Sequence, residues 1–203
     1  MLDISFLYSD FKSSSVAHRY GESSGKFHSS AAKPFALPSS AANRRPVVVW
    51  NITRTCNLKC FHCYSDSEAK PYAGELATDE AKGVIDDLAR FEVPVVLFSG
   101  GEPLVRPDLF ELAAYAKEKH VRTVLSTNGV LITPDIAEKI KENGFSYVGV
   151  SLDGMEDVHD YFRGAPGAFQ KTISGIRALA AVKQKTGLRL TLTSHTIDQI
   201  DPL

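Results

Sequence analysis

The sequence has little of what marks a membrane, secreted or nucleic-acid-binding chain. Its longest apolar runs, VVVW and VPVVLF, fall far short of the ~20 residues that cross a bilayer. The first residues, MLDISFLYSDFKSSS, lack the basic start and apolar stretch of a secretory signal. Its 23 basic and 24 acidic side chains leave a formal net charge of −1, which gives no sign of an electrostatic nucleic-acid or membrane partner, and none is expected. These features predict a cytoplasmic protein. Cysteine is scarce: there are 3, all between positions 56 and 63. An odd, tightly grouped set makes a poor disulfide framework and reads as metal binding in a reducing compartment.

What is present is an alternation of short β-branched runs and amphipathic stretches. Residues 1–45, rich in Ser, Ala, Lys and His, show no sustained periodicity and read as an irregular leader. From Pro46 the rhythm predicts strands over 47–52, 95–98, 123–126, 147–151 and 188–193. Helices are expected over 78–91, with an N-cap at Thr78 or Asp79, and over 108–119, 134–142 and 168–185. Five strands with four intervening helices imply an α/β fold of parallel βαβ units, one domain over 46–203.

Each unusual loop follows a strand: CNLKCFHC the first, SGGEPL the second, STNG the third and SLDG the fourth. In parallel α/β folds the carboxyl ends of the strands form the active rim, so the four motifs are expected to converge. Thiolates at 56, 60 and 63 suit an iron–sulfur cluster, and three of them leave one iron of a cubane open. A structural zinc site, with His62 or a distant His as fourth ligand, is the other reading of the thiols, but no second ligand pair is visible. The glycines of SGGE would let the backbone approach a ligand. STNG and SLDG are also ordinary turn sequences. GAPGAF (164–169) lacks the Lys-Ser/Thr of a phosphate loop. His62 reads as packing beside the ligands, Trp50 as core, and His120, His159 and Tyr161 receive no role.

The spacing of Cys56, Cys60 and Cys63, with the aromatic Tyr64 behind it, resembles the signature of the radical S-adenosylmethionine (SAM) superfamily, and FSGGEPL resembles that superfamily's glycine-glycine-glutamate motif. The resemblance runs from about Pro46 to the last strand. It implies a partial (β/α) barrel of TIM-barrel type, incomplete here because the chain stops after the fifth of six expected strands. It implies a [4Fe–4S] cluster on the three cysteines, and SAM held at the open iron by its amino and carboxylate groups. On this resemblance Tyr64 flanks the cofactor site, and Gly100, Gly101 and Glu102 meet the methionine end of SAM. Ser126 and Asn128 contact its polar groups, and Ser151 and Asp153 its ribose or carboxylate. Arg163, in the loop beyond, pairs with its carboxylate. The activity implied is reductive cleavage of SAM to a 5′-deoxyadenosyl radical, with a low-potential electron donor.

The leader HRYGESSGK and the segment PVVVWNITRTCNLKCFHCYSDS resemble more narrowly the radical SAM proteins of alternative haem biosynthesis, the 12,18-didecarboxysirohaem deacetylase and d-type haem branch. That implies a tetrapyrrole substrate losing side chains. The alternatives are a maturase of ribosomal peptides of the SPASM type, with a peptide substrate, and a non-catalytic cluster- or zinc-binding module. Both enzyme groups carry cysteine-rich C-terminal extensions, and no cysteine follows Cys63, so the chain is expected to be a truncated piece.

Overall fold

The computed structural model describes residues 45–203; the leader expected over 1–45 lies, but for Arg45, outside the described residues. The chain runs β1 (Val48–Thr53), α1 (Thr78–Arg90), β2 (Val96–Gly100), α2 (Leu109–Glu118), β3 (Thr123–Thr127), α3 (Pro134–Glu142), β4 (Val148–Ser151), α4 (Glu156–Arg163), α5 (Ala168–Ala181) and β5 (Thr186–Arg189). All five strands are parallel and paired in sequence order, β1-β2-β3-β4-β5. Sequential parallel order with helices between is the winding of a (β/α) barrel, here as an open five-strand segment.

Alternation along each strand decides what lies on each face. Ile52, Val96, Phe98, Leu125, Val148 and Val150 enter one core with Ala81 and Ile85 of α1, Leu109, Leu112 and Ala116 of α2, Ile140 of α3 and Leu179 of α5. That face is therefore covered by helices. The other face carries Val49, Leu97 and Val124 in one row, and Asn51, Ser99, Ser126 and Gly149 in the next. Trp50 is half-buried at the margin of the core rather than inside it, edge-on to Phe98 at 5.9 Å.

Helix ends follow their chemistry with one correction. Thr133 caps α3, its hydroxyl accepting the Ile136 N–H at 3.3 Å, with Pro134 next to it. For α1 the cap is Ala77, not Thr78 or Asp79. The Glu80 carboxylate accepts the Ala77 N–H at 2.8 Å, which frees Thr78 to donate to Asp108 at 2.8 Å. Two further boundaries differ from expectation. Helix α5 stops at Ala181, and Lys183 takes a left-handed φ of 53° before β5. The last strand is 186–189 rather than 188–193, because β4 ends at Ser151 and offers no partner beyond Arg189. The β-branched residues that follow turn back instead: the Thr191 N–H donates to Asp153, and the Thr196 hydroxyl bonds the Thr191 carbonyl at 2.5 Å. Among the described residues no helix is long and apolar enough to cross a membrane.

Phe98 is fully buried at the centre of this core, between Trp50 and Phe145. Phe98→Ala should cost about 3–5 kcal/mol of stability, read as a lower urea midpoint at unchanged slope.

Candidate active site

Strand β1 delivers the chain into the cysteine loop, and β2 delivers it into Gly100 and Gly101 alongside. The two turns are in backbone contact: the Gly101 N–H donates to the Thr53 carbonyl at 2.8 Å and the Glu102 N–H to the Thr55 carbonyl at 3.0 Å. A Cβ on Gly100, whose φ is +126°, would stand 2.1 Å from the Thr53 oxygen, and one on Gly101 2.3 Å from the Thr55 oxygen. Only glycine permits this approach.

Glu102 is wholly buried. One carboxylate oxygen accepts the Asn128 N–H at 2.7 Å, and the other accepts the Thr127 hydroxyl at 2.8 Å and the Leu104 N–H at 3.1 Å. The side chain thus ties the loop after β2 to the loop after β3, and its oxygens are engaged inside the protein rather than offered to a ligand. Asn128 continues the tie, its amide donating to Asn57 Oδ1 at 2.8 Å between the first two cysteines. Its Nδ2 also stands 4.0 Å from Cys56 Sγ.

Each thiol has its own donor. The Leu58 N–H points at Cys56 Sγ at 3.4 Å, Arg163 Nη1 at Cys60 Sγ at 3.7 Å, and the Ser67 N–H at Cys63 Sγ at 3.4 Å, where the Ser65 hydroxyl joins at the same distance. Burial pushes the Cys56 thiol up to about 11 and raises Cys60 against the pull of Arg163. Burial also acts on Cys63, but the Ser65 and Ser67 hydrogen bonds outweigh it and hold that thiol below its usual value. Among the described residues no three His, Cys, Asp or Glu side chains converge as a single-ion site demands. A cubane takes its thiolates at different irons and needs no such convergence. Hydrogen bonds to sulfur are the features that tune cluster thiolates, so the residues present fit a [4Fe–4S] group.

Arg163 does not lie in a loop. It is the last residue of α4, whose sequence EDVHDYFR is short and lacks a cap signal. Gly164 ends α4 in the left-handed region, φ 64°, so close to the Lys59 carbonyl that a Cβ would sit at 2.4 Å. The Phe61 N–H donates to the Phe162 carbonyl at 3.1 Å. Helix α4 is therefore docked on the cysteine loop, and Arg163 Nη2 pairs with the buried Asp153. Asp153 also accepts the Thr191 N–H at 2.8 Å, while its own N–H donates to His159 Nδ1 at 3.1 Å. With both oxygens committed, its role in the geometry is to hold Arg163.

His159 is fully buried, and burial beside Arg163 lowers its pKa to about 4, which keeps the ring neutral with Nδ1 as acceptor. His62 stacks on Phe162 at 4.4 Å and is likewise lowered by burial, as suits a packing ring. Tyr64 is 75% exposed, its hydroxyl donating to Asn51 at 3.1 Å. Ser151 ends β4, half-buried. Ser126 is engaged by Arg189 of β5. Sequence reasoning passed over Thr127, Asn57 and Arg189; only the last left a signal, a lone cation inside an apolar alternating run.

A parallel (β/α) segment whose strand ends gather three donor-supported thiols and a glycine turn defines the class of barrel-type iron–sulfur proteins. The model for the Radical SAM superfamily matches residues 50–203, and the chain belongs to that superfamily. It is 48% identical over 200 residues to Fe-coproporphyrin III synthase of Methanosarcina barkeri, covering 98% of this chain and 49% of that protein. It is 43% identical over 159 residues to AdoMet-dependent heme synthase of the same organism, covering 78% and 46%. The solved structure of anSMEcpe with bound AdoMet has the same fold, with a TM-score of 0.66 at 24% identity over 77% of this chain and 47% of that one. The chain spans about half the length of the curated relatives it matches. Radical SAM proteins use a [4Fe–4S] cluster and SAM.

Burial pushes the Glu102 carboxyl up to about 7 from 4.5. Its folded pKa lies above its unfolded one, so its stabilisation is full below about pH 4.5 and fades as pH rises through 7. Glu102→Ala strands the buried Asn128 and Leu104 N–H groups and should cost about 2–5 kcal/mol. The cost should be larger at about pH 5 than at about pH 8, measured by urea unfolding.

Proposed function

We propose that this chain forms the cluster- and SAM-binding part of a radical SAM enzyme that removes side chains from a tetrapyrrole in haem formation. The observation that carries the first half is the docking of three donor-supported cysteines against the Gly100–Gly101 turn. The second half is supported by 48% identity to Fe-coproporphyrin III synthase extending over 98% of the chain. Removal of acetate side chains, as in the sirohaem deacetylase branch, is the specific reaction we favour.

Cys56, Cys60 and Cys63 would hold the cluster. When bound and reduced by a low-potential donor, the cluster supplies the one-electron cleavage of SAM that generates a 5′-deoxyadenosyl radical. The chain's own residues bind and orient. The backbone at Gly100 and Gly101 receives the methionine end of SAM, with ammonium contacts falling to main-chain carbonyls because the Glu102 carboxylate is already engaged. Arg163, held by Asp153, offers a guanidinium fork to the SAM carboxylate. Ser151 and Asn128 add polar contacts, and Ser126 reaches SAM only around Arg189. Tyr64 and the stacked pair Phe61 and Tyr161, whose rings lie 4.8 Å apart, stand exposed at the outer edge of the site.

The chain, reconstituted anaerobically with iron and sulfide, reduced and given SAM, should release 5′-deoxyadenosine and methionine. Cys60→Ala should abolish both products and most bound iron. Tight zinc uptake without a cluster would contradict the proposal.

A further inference from the structure

Arg189 is the unusual cation of this fold. Among the described residues the two buried arginines each have a carboxylate partner, Arg106 with Asp108 and Arg163 with Asp153, whereas the half-buried Arg189 has none. It ends β5 in register with Ser151, on the sheet face away from the helices. Its side chain lies back across β4: a Cβ on Gly149 would stand 2.4 Å from Arg189 Nε and 2.8 Å from Cζ. Nη1 donates to Ser126 on β3, and Nε is buried without a hydrogen-bond partner. The bare glycine of β4 is therefore what lets a guanidinium reach the middle of the concave face. Burial lowers the Arg189 pKa, a sign of desolvation, yet an arginine stays cationic. A half-buried cation without a counter-charge is costly unless an anion arrives from outside.

The surroundings say what kind of anion. Ser126, Ser99 and Asn51 form a polar row beside the guanidinium, and Val124, Leu97 and Val49 an apolar row one step away on the same face. An apolar floor with a cation and hydroxyls along one side suits a flat amphiphile with carboxylates on its rim. We propose that Arg189 is the substrate anchor of this site, taking a peripheral carboxylate of the tetrapyrrole on Nη2 of its guanidinium. This rests on the tetrapyrrole reading above and adds the residue that recognises the substrate. The SAM carboxylate is the competing anion, and Arg163 stands ready for it beside Cys60.

The test is an equilibrium titration of the cluster-loaded chain with SAM present, reading the Soret band of coproporphyrin III and of its tetramethyl ester. The wild type should bind the acid more tightly than the ester. Arg189→Ala should weaken the acid by about tenfold or more, leave the ester unchanged, and change SAM affinity by less than about threefold. Gly149→Ala, which keeps the arginine but blocks its path, should weaken the acid similarly. Undiminished binding of the acid by Arg189→Ala overturns the assignment, as does loss of SAM affinity with porphyrin binding retained. A wild type that binds neither porphyrin overturns the tetrapyrrole reading itself, a result distinct from either.

Discussion

The buried carboxylate of Glu102 sets the register of everything at the rim. It gathers three donors from two loops while its own N–H bonds the chain entering the cysteine loop. Three strand ends are thereby fixed to one another before any cofactor arrives. The tie works because Gly100 and Gly101 let two backbones approach where a Cβ cannot stand, and because the parallel sheet brings successive strand ends to the same side. Such preorganisation is what a site must supply when its cofactors carry the difficult chemistry.

Charge is distributed over this frame in two ways. Arg163 is neutralised by Asp153, which is itself fixed by the Thr191 N–H and by its own N–H to His159, so its guanidinium is held rigidly toward Cys60. Arg189 has the Ser126 hydroxyl, Gly149 and the tyrosines Tyr64 and Tyr147 near it, and no carboxylate is paired with it among the described residues. One cation belongs to the cluster side of the site and the other to the open face. A ligand lying across the sheet would meet both.

Much of this was legible in the sequence, for identifiable reasons. The cysteine spacing and the SGGE, STNG and SLDG turns are local patterns, and short β-branched runs placed β1 to β4 within a residue or two. The details that failed depend on tertiary context. The resemblance made Glu102 and Asp153 contacts of SAM, and nothing local in the sequence shows that their partners come from other loops: 127 and 128 for the first, 163 and 191 for the second. Residues 190–193 have strand composition but no neighbouring strand to pair with. Helix α4 was missed because its stability comes from docking on the cysteine loop, not from a cap of its own.

On this reading the three cysteines would hold a [4Fe–4S] cluster with one iron open to SAM. Electron paramagnetic resonance of the reduced, reconstituted chain, recorded before and after SAM is added, tests it directly. A spin-one-half cluster signal is expected, with g-values that shift when SAM binds at the open iron. A cluster signal that SAM leaves unchanged, or a protein that takes up no iron–sulfur cluster, would contradict it.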